Sequence, residues 1–440
     1  MNLMKFKGKK VLILGYSITG ISVAKFLTSL GAKCFISEFD ATKKASAPDG
    51  VEVEFGVHSK EFIEGTDLVV TSPGISPTAP IFATLKEKNI EYISDIELAH
   101  RFNLNSPEPK KIIAVTGTNG KTTTTMLLSH ILSAPACGNI GVSPCDFLLE
   151  SDSCLVLETS SFQAHYSPTF SPEIAIFTNL TPDHVYFHGS VQEYFEAKAK
   201  IFRNMKPNQS AVLNLDDETV SALASELECK TYFFSTKKEA DACVKNGALY
   251  FQNEKIIDVK DVPIVGEHNL QNALASIAAA KIAGVDSETI QAKIKTFRAP
   301  EHRCEFVTEF NNIKFYNDSK ATNPEATIVA LKSFEGANVA LIAGGRDKNT
   351  TLEEFCSVVK KTMKSVILIG EATDRFEKEL RDSGYDAVFK AQTLEQAIDT
   401  AISQKPDVVL LSPACASFDM FKSFEHRGEE FKKYVLKRRL

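Results

Sequence analysis

The residues best suited to chemistry lie in TGTNGKTTTT, residues 116–125. Gly117 and Gly120 bracket Thr118 and Asn119, and Lys121, Thr122 and Thr123 follow directly. Glycines let a backbone turn tightly and aim several N–H groups inward at one point. A lysine beside them adds a full charge for outer phosphates, and a threonine hydroxyl can ligate magnesium. The chemistry this predicts is binding of a nucleoside triphosphate and phosphoryl transfer. The usual motif is G-x-x-x-x-G-K-[ST]; here Val115 stands at the first glycine position, so the loop is a shorter-spaced variant. The competing reading is an ordinary glycine turn.

The elements that must position this loop are legible on both sides. Ile112–Val115 is a short apolar run of the kind found in buried parallel strands. After Thr122 the pattern turns helical, with Met126, Leu127, Leu128, Ile131 and Leu132 on one face. The predicted helix aims its positive end at the loop. Two further strands, Leu155–Leu157 and Ile174–Phe177, end in polar residues. The first runs into Glu158-Thr159-Ser160-Ser161-Phe162-Gln163, and a carboxylate so placed can hold magnesium directly or through water. The second runs into Thr178-Asn179-Leu180-Thr181-Pro182-Asp183-His184, where His184 is either a ligand or a loop histidine. A second glycine-bearing turn contains Asn139. Lys198 falls on a predicted helix over 191–203, where the ordinary reading is a solvated face. Asn269 and Asn272 fall near the start of an alanine-rich helix over 268–283, where asparagines usually cap or bond the first turn.

Apolar runs continue the same scheme to both ends of the chain. Val11–Leu14, the turn Gly15–Gly20, a helix carrying Val23, Phe26, Leu27 and Leu30, and the strand Cys34–Ile36 form a βαβ unit. Ser17 takes the place of the middle glycine of a dinucleotide fingerprint, and Glu38 ends the second strand. The unit therefore either binds a nicotinamide cofactor, binds nothing, or holds another nucleotide on a modified loop. Leu68–Val70 leads into Thr71-Ser72-Pro73-Gly74 at the edge where open α/β sheets bind ligands. In the last third, Val339–Ala343, Val366–Ile369 and Val408–Leu411 read as strands alternating with helices.

The composition limits the function classes. A chain of 440 residues with 43% apolar residues suggests roughly three domains. A net charge of −6 with mixed signs predicts neither a nucleic-acid nor a membrane-surface partner. The nine cysteines include no C-x-x-C pair and fit a reducing, cytoplasmic setting.

Taken together these segments resemble the Mur ligases, ATP-dependent amide ligases of peptidoglycan precursor synthesis. The resemblance rests on TGTNGKTTTT at 116–125, GNIG at 138–141, LETSSFQ at 157–163, NLTPDH at 179–184 and EAKAKIF at 196–202. It continues with GEHNLQNALA at 266–275, PEHRCE at 300–305, NDSKATNP at 317–324 and LSPACASFDMFKSFEHRGEEF at 411–431. It implies an α/β protein of three domains: a Rossmann-like N-terminal domain over 1–93 for a UDP substrate, a central P-loop ATPase domain over 94–298, and a Rossmann-like C-terminal domain over 299–440 for an amino acid. NDSKATNP, the tail and the short first domain resemble the branch of the family that adds D-glutamate, which implies UDP-N-acetylmuramoyl-L-alanine and D-glutamate as substrates. By resemblance, Lys121, Glu158, His184 and Lys198 are catalytic. Thr122 and Glu158 hold one magnesium ion, and His184 with a carbamylated Lys198 a second. Asn269 and Asn272 match adenine-side positions, and His302, Arg303 and Asp318 positions near the nucleotide. Lys320 matches a phosphate-side lysine, and Asn139 and Ser160 lie on the substrate side. Thr322, Lys348, Ser417 and Phe424 match the D-glutamate pocket. The UDP end is expected near Ile18, Thr19, Ser72, Pro73 and Gly74. There this chain has Glu38-Phe39-Asp40 where the best-known form has Asp-Thr-Arg. Phe39 is expected to stack on the uracil and Glu38 to accept from its N–H. The expected state is a monomer.

Overall fold

The computed structural model describes residues 6–43, 46–334, 336–347 and 349–439, without the side chains of Val185 and Tyr186. The chain divides into two compact units: Met1–Asp261 with Gln271–Lys295, and Val262–Leu270 with Thr296–Leu440. The first unit contains two sheets and the second contains one.

The first sheet is built from β1 (Lys10–Leu14), β2 (Lys33–Glu38), β3 (Val51–Phe55), β4 (Leu68–Thr71) and β5 (Tyr92–Ile93). The spatial order is β3-β2-β1-β4-β5, and every pairing is parallel. Val11, Leu12, Ile13 and Leu14 are buried, as an all-parallel strand covered on both faces requires. Strand order reverses between β1 and β4, which opens a crevice at their carboxyl ends.

The second sheet holds β6 (Lys111–Thr116), β7 (Ala136–Gly138), β8 (Cys154–Glu158), β9 (Ile174–Phe177), β10 (Ser210–Asn214), β11 (Lys230–Ser235), β12 (Ala242–Lys245), β13 (Ala248–Phe251) and β14 (Glu254–Asp258). Its order is β14-β13-β12-β11-β10-β9-β6-β8-β7, parallel except for the β12-β13-β14 meander. The register sets Val115 opposite both Glu158 and Ile176, so the loops after β6, β8 and β9 leave one edge together.

The third sheet comprises β15 (Glu305–Phe310), β16 (Ile313–Asn317), β17 (Val339–Gly344), β18 (Met363–Ile369), β19 (Val388–Lys390) and β20 (Val408–Leu411). The order is β15-β16-β20-β17-β18-β19, with only β15 antiparallel. All three sheets carry helices between their strands, the alternation the sequence predicts.

One helix brings side chains from its buried face to the phosphate loop. Val191–Arg203 is capped by Ser190, whose hydroxyl accepts from the Glu193 N–H. Phe195, Ala199 and Phe202 form a stripe at helical spacing that packs into the core, with the Phe177 ring stacked 5.5 Å from Phe202. Burying each phenylalanine stabilises the helix–sheet contact by about 2–3 kcal/mol. That packing sets the helix's rotation, and the adjacent stripe, Tyr194 and Lys198, is buried as well.

Candidate active site

The phosphate loop joins β6 to the helix Lys121–Leu132. Gly120 is the N-cap in the left-handed region, at φ 82°, and no side chain caps the helix. Gly117 has φ 144°, and a Cβ there would overlap Thr178 Oγ1; one at Gly120 would overlap Asn272 Oδ1. Both positions therefore need glycine for backbone shape and for space.

The loop is stitched to the chain after β9. The N–H groups of Thr118 and Asn119 donate to the Asn179 carbonyl and to Asn179 Oδ1, each at 2.9 Å. Thr178 Oγ1 donates to the Asn119 carbonyl at 2.6 Å, and the Thr181 N–H donates to Thr118 Oγ1 at 3.0 Å. This departs from the expectation that the loop amides simply face inward: those of Thr118 and Asn119 bind Asn179, and the uncapped helix start at Lys121–Thr123 presents the amide face.

Two lysines converge on one carbonyl oxygen. Lys121 Nζ donates to Gly117 O at 2.9 Å and to Thr118 O at 2.7 Å, and Lys198 Nζ donates to the same Gly117 O at 2.8 Å. Lys198 is 1% exposed and lies 4.6 Å over the Tyr194 ring. The solvated-face reading of Lys198 is thereby overturned: the Phe195–Phe202 stripe turns the neighbouring face inward and carries Lys198 with it. Burial, then the nearby Lys121 charge, holds its ammonium well below the ordinary lysine range, against the opposing pull of Asp183 and Glu158.

Glu158 ends β8 and is 3% exposed, and its carboxylate accepts from Asn139 Nδ2 at Oε1, at 2.9 Å. Its Oε2 has no hydrogen-bond partner among the described residues. An orphaned buried carboxylate oxygen at a phosphate loop fits a magnesium ligand. Asn139 thus holds the carboxylate in place, and Ser160 caps the helix Ser161–His165 in a reciprocal pair with Gln163. His184 adopts φ 50°; its N–H donates to Asp183 Oδ1 at 2.8 Å, and its ring sits 4.7 Å from Phe162 and 6.1 Å from Tyr194. Burial, opposed by Asp183 and assisted by Lys121, holds this imidazole below its ordinary pKa and so neutral, as a metal-binding nitrogen must be. Asn272 accepts from Thr124 Oγ1 at 3.2 Å, bracing the start of the loop helix.

At the first sheet's edge, Ser17 Oγ caps the helix Ile18–Ser29 through the Gly20 N–H and meets Ser72 Oγ at 3.0 Å. Ile18 is exposed, Thr19 and Pro73 are half-buried, and Gly74 is exposed. The Glu38 carboxylate accepts from the N–H of Tyr16 and of Asp40, each at 2.9 Å, and from Lys43 at 2.6 Å. Burial alone would raise its pKa; Lys43 and the two amides outweigh that and hold it below the ordinary range.

In the second unit, the residues after β16, β17 and β20 form their own cluster. Asp318 accepts from Ser412 Oγ at 2.7 Å and from the Cys304 N–H at 3.1 Å. Burial pushes its carboxyl up to about 7, against the lowering effects of Ser412, Cys304, Arg303 and Arg427. Lys320 Nζ lies 5.0 Å over the Phe424 ring. Thr322 is half-buried, Ser417 is buried, and the side chain of Asn269 donates to the Val265 carbonyl at 2.7 Å. Lys348 lies outside the described residues; its neighbour Asp347 is gripped by Arg375 through two bonds of 2.5 and 2.7 Å. Arg427, 1% exposed, bonds Ser319 Oγ, Ser319 O and Cys415 O, tying the loop that carries Lys320 and Thr322 to the loop that carries Ser417.

Three family models match in order: a MurD-like N-terminal domain over residues 9–94, a Mur ligase middle domain over 115–280, and a Mur ligase glutamate ligase domain over 302–415. A UDP-N-acetylmuramoylalanine–D-glutamate ligase of Thermoanaerobacter sp. (strain X514) is 41% identical over 455 residues, covering 98% of this chain and 99% of the relative. One from Bacillus cereus (strain Q1) is 38% identical, with 97% of both covered. The chain belongs to the Mur ligase family. Mur ligases of known structure share the fold. The UDP-N-acetylmuramate-alanine ligase MurC of Thermotoga maritima aligns over 98% of this chain and 99% of its own, with a TM-score of 0.60 at 20% identity. The MurF ligase of Thermotoga maritima in complex with ADP aligns over 100% and 97%, with a TM-score of 0.59 at 20% identity.

Against this Mur ligase framework, the structure adds residues that sequence reasoning passed over. Thr178 and Asn179 were visible only as the polar end of a strand; their role comes from β9 lying beside β6. Tyr194 carried a local signal, its spacing of four residues before Lys198 on one helix. Arg427 lay unmarked inside the tail motif.

Proposed function

We propose that this Mur ligase joins D-glutamate to UDP-N-acetylmuramoyl-L-alanine, the pair that the names of its relatives give for them, with conversion of ATP to ADP and phosphate. One observation carries the mechanism: Lys121 and the buried Lys198 meet on the Gly117 carbonyl of the phosphate loop. The reaction must bring a carboxylate up to a triphosphate, two anions, and this is where the chain brings together the Lys121 charge, helix amides and the residues proposed to hold metal.

The L-alanyl carboxylate attacks the γ-phosphorus, the bond to the β-phosphate oxygen breaks, and ADP leaves an acyl phosphate. The D-glutamate amine then attacks that carbonyl carbon; phosphate departs, and the amine gives up a proton. Gly117, Thr118, Asn119 and Gly120 shape the loop around the phosphates, and Lys121 with Thr122 and Thr123 supplies charge and amides. Thr122 and Glu158 would hold one magnesium ion, and His184 with a carbamylated Lys198 a second; the positive charge so held offsets repulsion between the reacting anions. Two features fit that group: the orphaned Glu158 Oε2, and the burial of Lys198, which lowers its pKa and so favours the neutral amine, the form that adds carbon dioxide. Asn139 orients Glu158, and Ser160 fixes the backbone beside it. Asn269, Asn272, Arg303, Asp318 and Lys320 serve the nucleotide. Thr322, Lys348, Ser417 and Phe424 hold D-glutamate, whose two carboxylates need donors and cations at fixed separation. Ile18, Thr19, Glu38, Phe39, Ser72, Pro73 and Gly74 take the UDP end. All nine cysteines are free thiols, which supports a cytoplasmic setting, and the protein is proposed to act as a monomer.

The test is phosphate release from ATP with UDP-N-acetylmuramoyl-L-alanine, comparing D-glutamate, L-glutamate, L-alanine and no amino acid. Release that depends on D-glutamate is expected. Release indifferent to the amino acid would remove the acceptor assignment and leave an ATPase.

A further inference from the structure

The edge of the first sheet carries a polar triangle that the reaction does not use. Ser37, the penultimate residue of β2, is fully buried, and its Oγ contacts Glu54 Oε1 at 2.5 Å, His58 Nδ1 at 2.6 Å and the Val57 carbonyl at 3.1 Å. A hydroxyl has one proton. The carboxylate and the carbonyl can only accept, and Glu54 is the closer, so the Ser37 proton goes to Glu54. The His58 contact is then a bond only if Nδ1–H donates to Ser37 Oγ. This fixes the tautomer: Nδ1 carries the proton and Nε2 keeps its lone pair. Nε2 makes no hydrogen bond among the described residues. Burial, only partly opposed by Glu54 and Glu38, lowers the pKa of His58 and keeps the ring neutral.

The His58 ring sits beside an unusual surface residue. Phe39 is 70% exposed, and its ring centroid is 5.6 Å from that of His58, with the planes 34° apart. Phe39 follows β2 and His58 follows β3, and these strands are parallel neighbours ending at the carboxyl edge. In a fold of this kind a nucleotide's phosphates lie at the turn after β1 and its nucleoside extends over the tips of the next strands. The other acceptor nearby, Glu38, already takes three donors inside its loop.

We propose that His58 is the specificity-determining residue for the base: beside a pyrimidine stacked on Phe39, its Nε2 accepts from the ring N–H that uracil has at N3, where cytosine presents a lone pair. This rests on the reading that the first sheet takes the UDP end of the substrate. It replaces Glu38 with His58 as the acceptor and leaves stacking to Phe39.

Calorimetric titration of the full chain with UDP and with CDP, with the ATP site saturated by ADP, tests it. The wild type is expected to bind UDP about tenfold tighter than CDP, the worth of one hydrogen bond made or opposed. His58→Phe keeps an aromatic ring beside Phe39 and removes the lone pair; it should bind the two nucleotides equally. Retention of the wild-type preference by His58→Phe overturns the proposal, as does equal binding by the wild type. Binding of neither nucleotide by a wild type that still releases phosphate in the presence of its substrates removes the underlying UDP placement, a distinct result. Nitrogen-15 chemical shifts of His58 in the wild type give a check that needs no variant: Nδ1 protonated supports the proposal, and Nε2 protonated overturns it.

Discussion

Lys198 shows how far one side chain's role depends on its surroundings. On an exposed helix it would be an ordinary solvated cation; at 1% exposure, burial first and then the Lys121 charge disfavour its ammonium. If it acts as a carbamate, Lys198→Ala should lower D-glutamate-dependent phosphate release at least about a hundredfold, and Lys198→Arg, which keeps a cation but cannot take up carbon dioxide, should be no better. Activity retained by the arginine variant would mean that charge alone is required. Asp318 supports a second prediction. Its folded pKa, about 7, lies above the ordinary 3.8, chiefly through burial. The folded state therefore binds a proton that the unfolded state releases, so this contribution to stability is complete below about pH 4 and is lost as pH rises through 7. Urea unfolding of wild type and Asp318→Asn at pH 5 and pH 8 should show the variant gaining relative stability at the higher pH. An unchanged difference would place the carboxyl in its ordinary range.

At the scale of the element, the phosphate loop is defined as much by its neighbours as by its own motif. Gly120 is held at φ 82° with Asn272 against it, and Gly117 lies against Thr178. Gly120→Ala places a Cβ where the Asn272 amide sits and forces a left-handed alanine. It should weaken ATP binding at least about tenfold and lower stability by about 1–3 kcal/mol. Nucleotide titration and thermal melting read the two effects separately. Near-normal ATP affinity would show that the loop relaxes without its glycine. The same dependence on neighbours explains why Tyr194 and Lys198 reach the loop: Phe195 and Phe202 set the helix's rotation against the sheet.

Across the whole molecule, the residues assigned to one reaction are divided between two compact units. The phosphate loop, Glu158, His184 and Lys198 belong to the first, and Asp318, Lys320, Thr322, Ser417 and Phe424 to the second. If the proposed reaction draws on groups of both units, closure around its substrates is the expected outcome. Solution scattering recorded with and without ATP analogue plus UDP-N-acetylmuramoyl-L-alanine should differ, and superimposable profiles would remove closure from the mechanism.

Local sequence was enough to place the strands and helix around the phosphate loop, because β6, β8 and β9 are continuous apolar runs and the helix after Lys121 has an apolar face at helical spacing. Its ordered motifs were also enough for the family. It was silent on the meander of β12, β13 and β14, which is defined by antiparallel pairing of one short strand with the next. The burial of Lys198, the capture of the Thr118 and Asn119 amides by Asn179, and the contact of His58 with Ser37 came from the tertiary fold. Each depends on two strands being neighbours in a sheet or on how a helix is turned against its core. Those are properties of packing between distant segments, which no local spacing encodes.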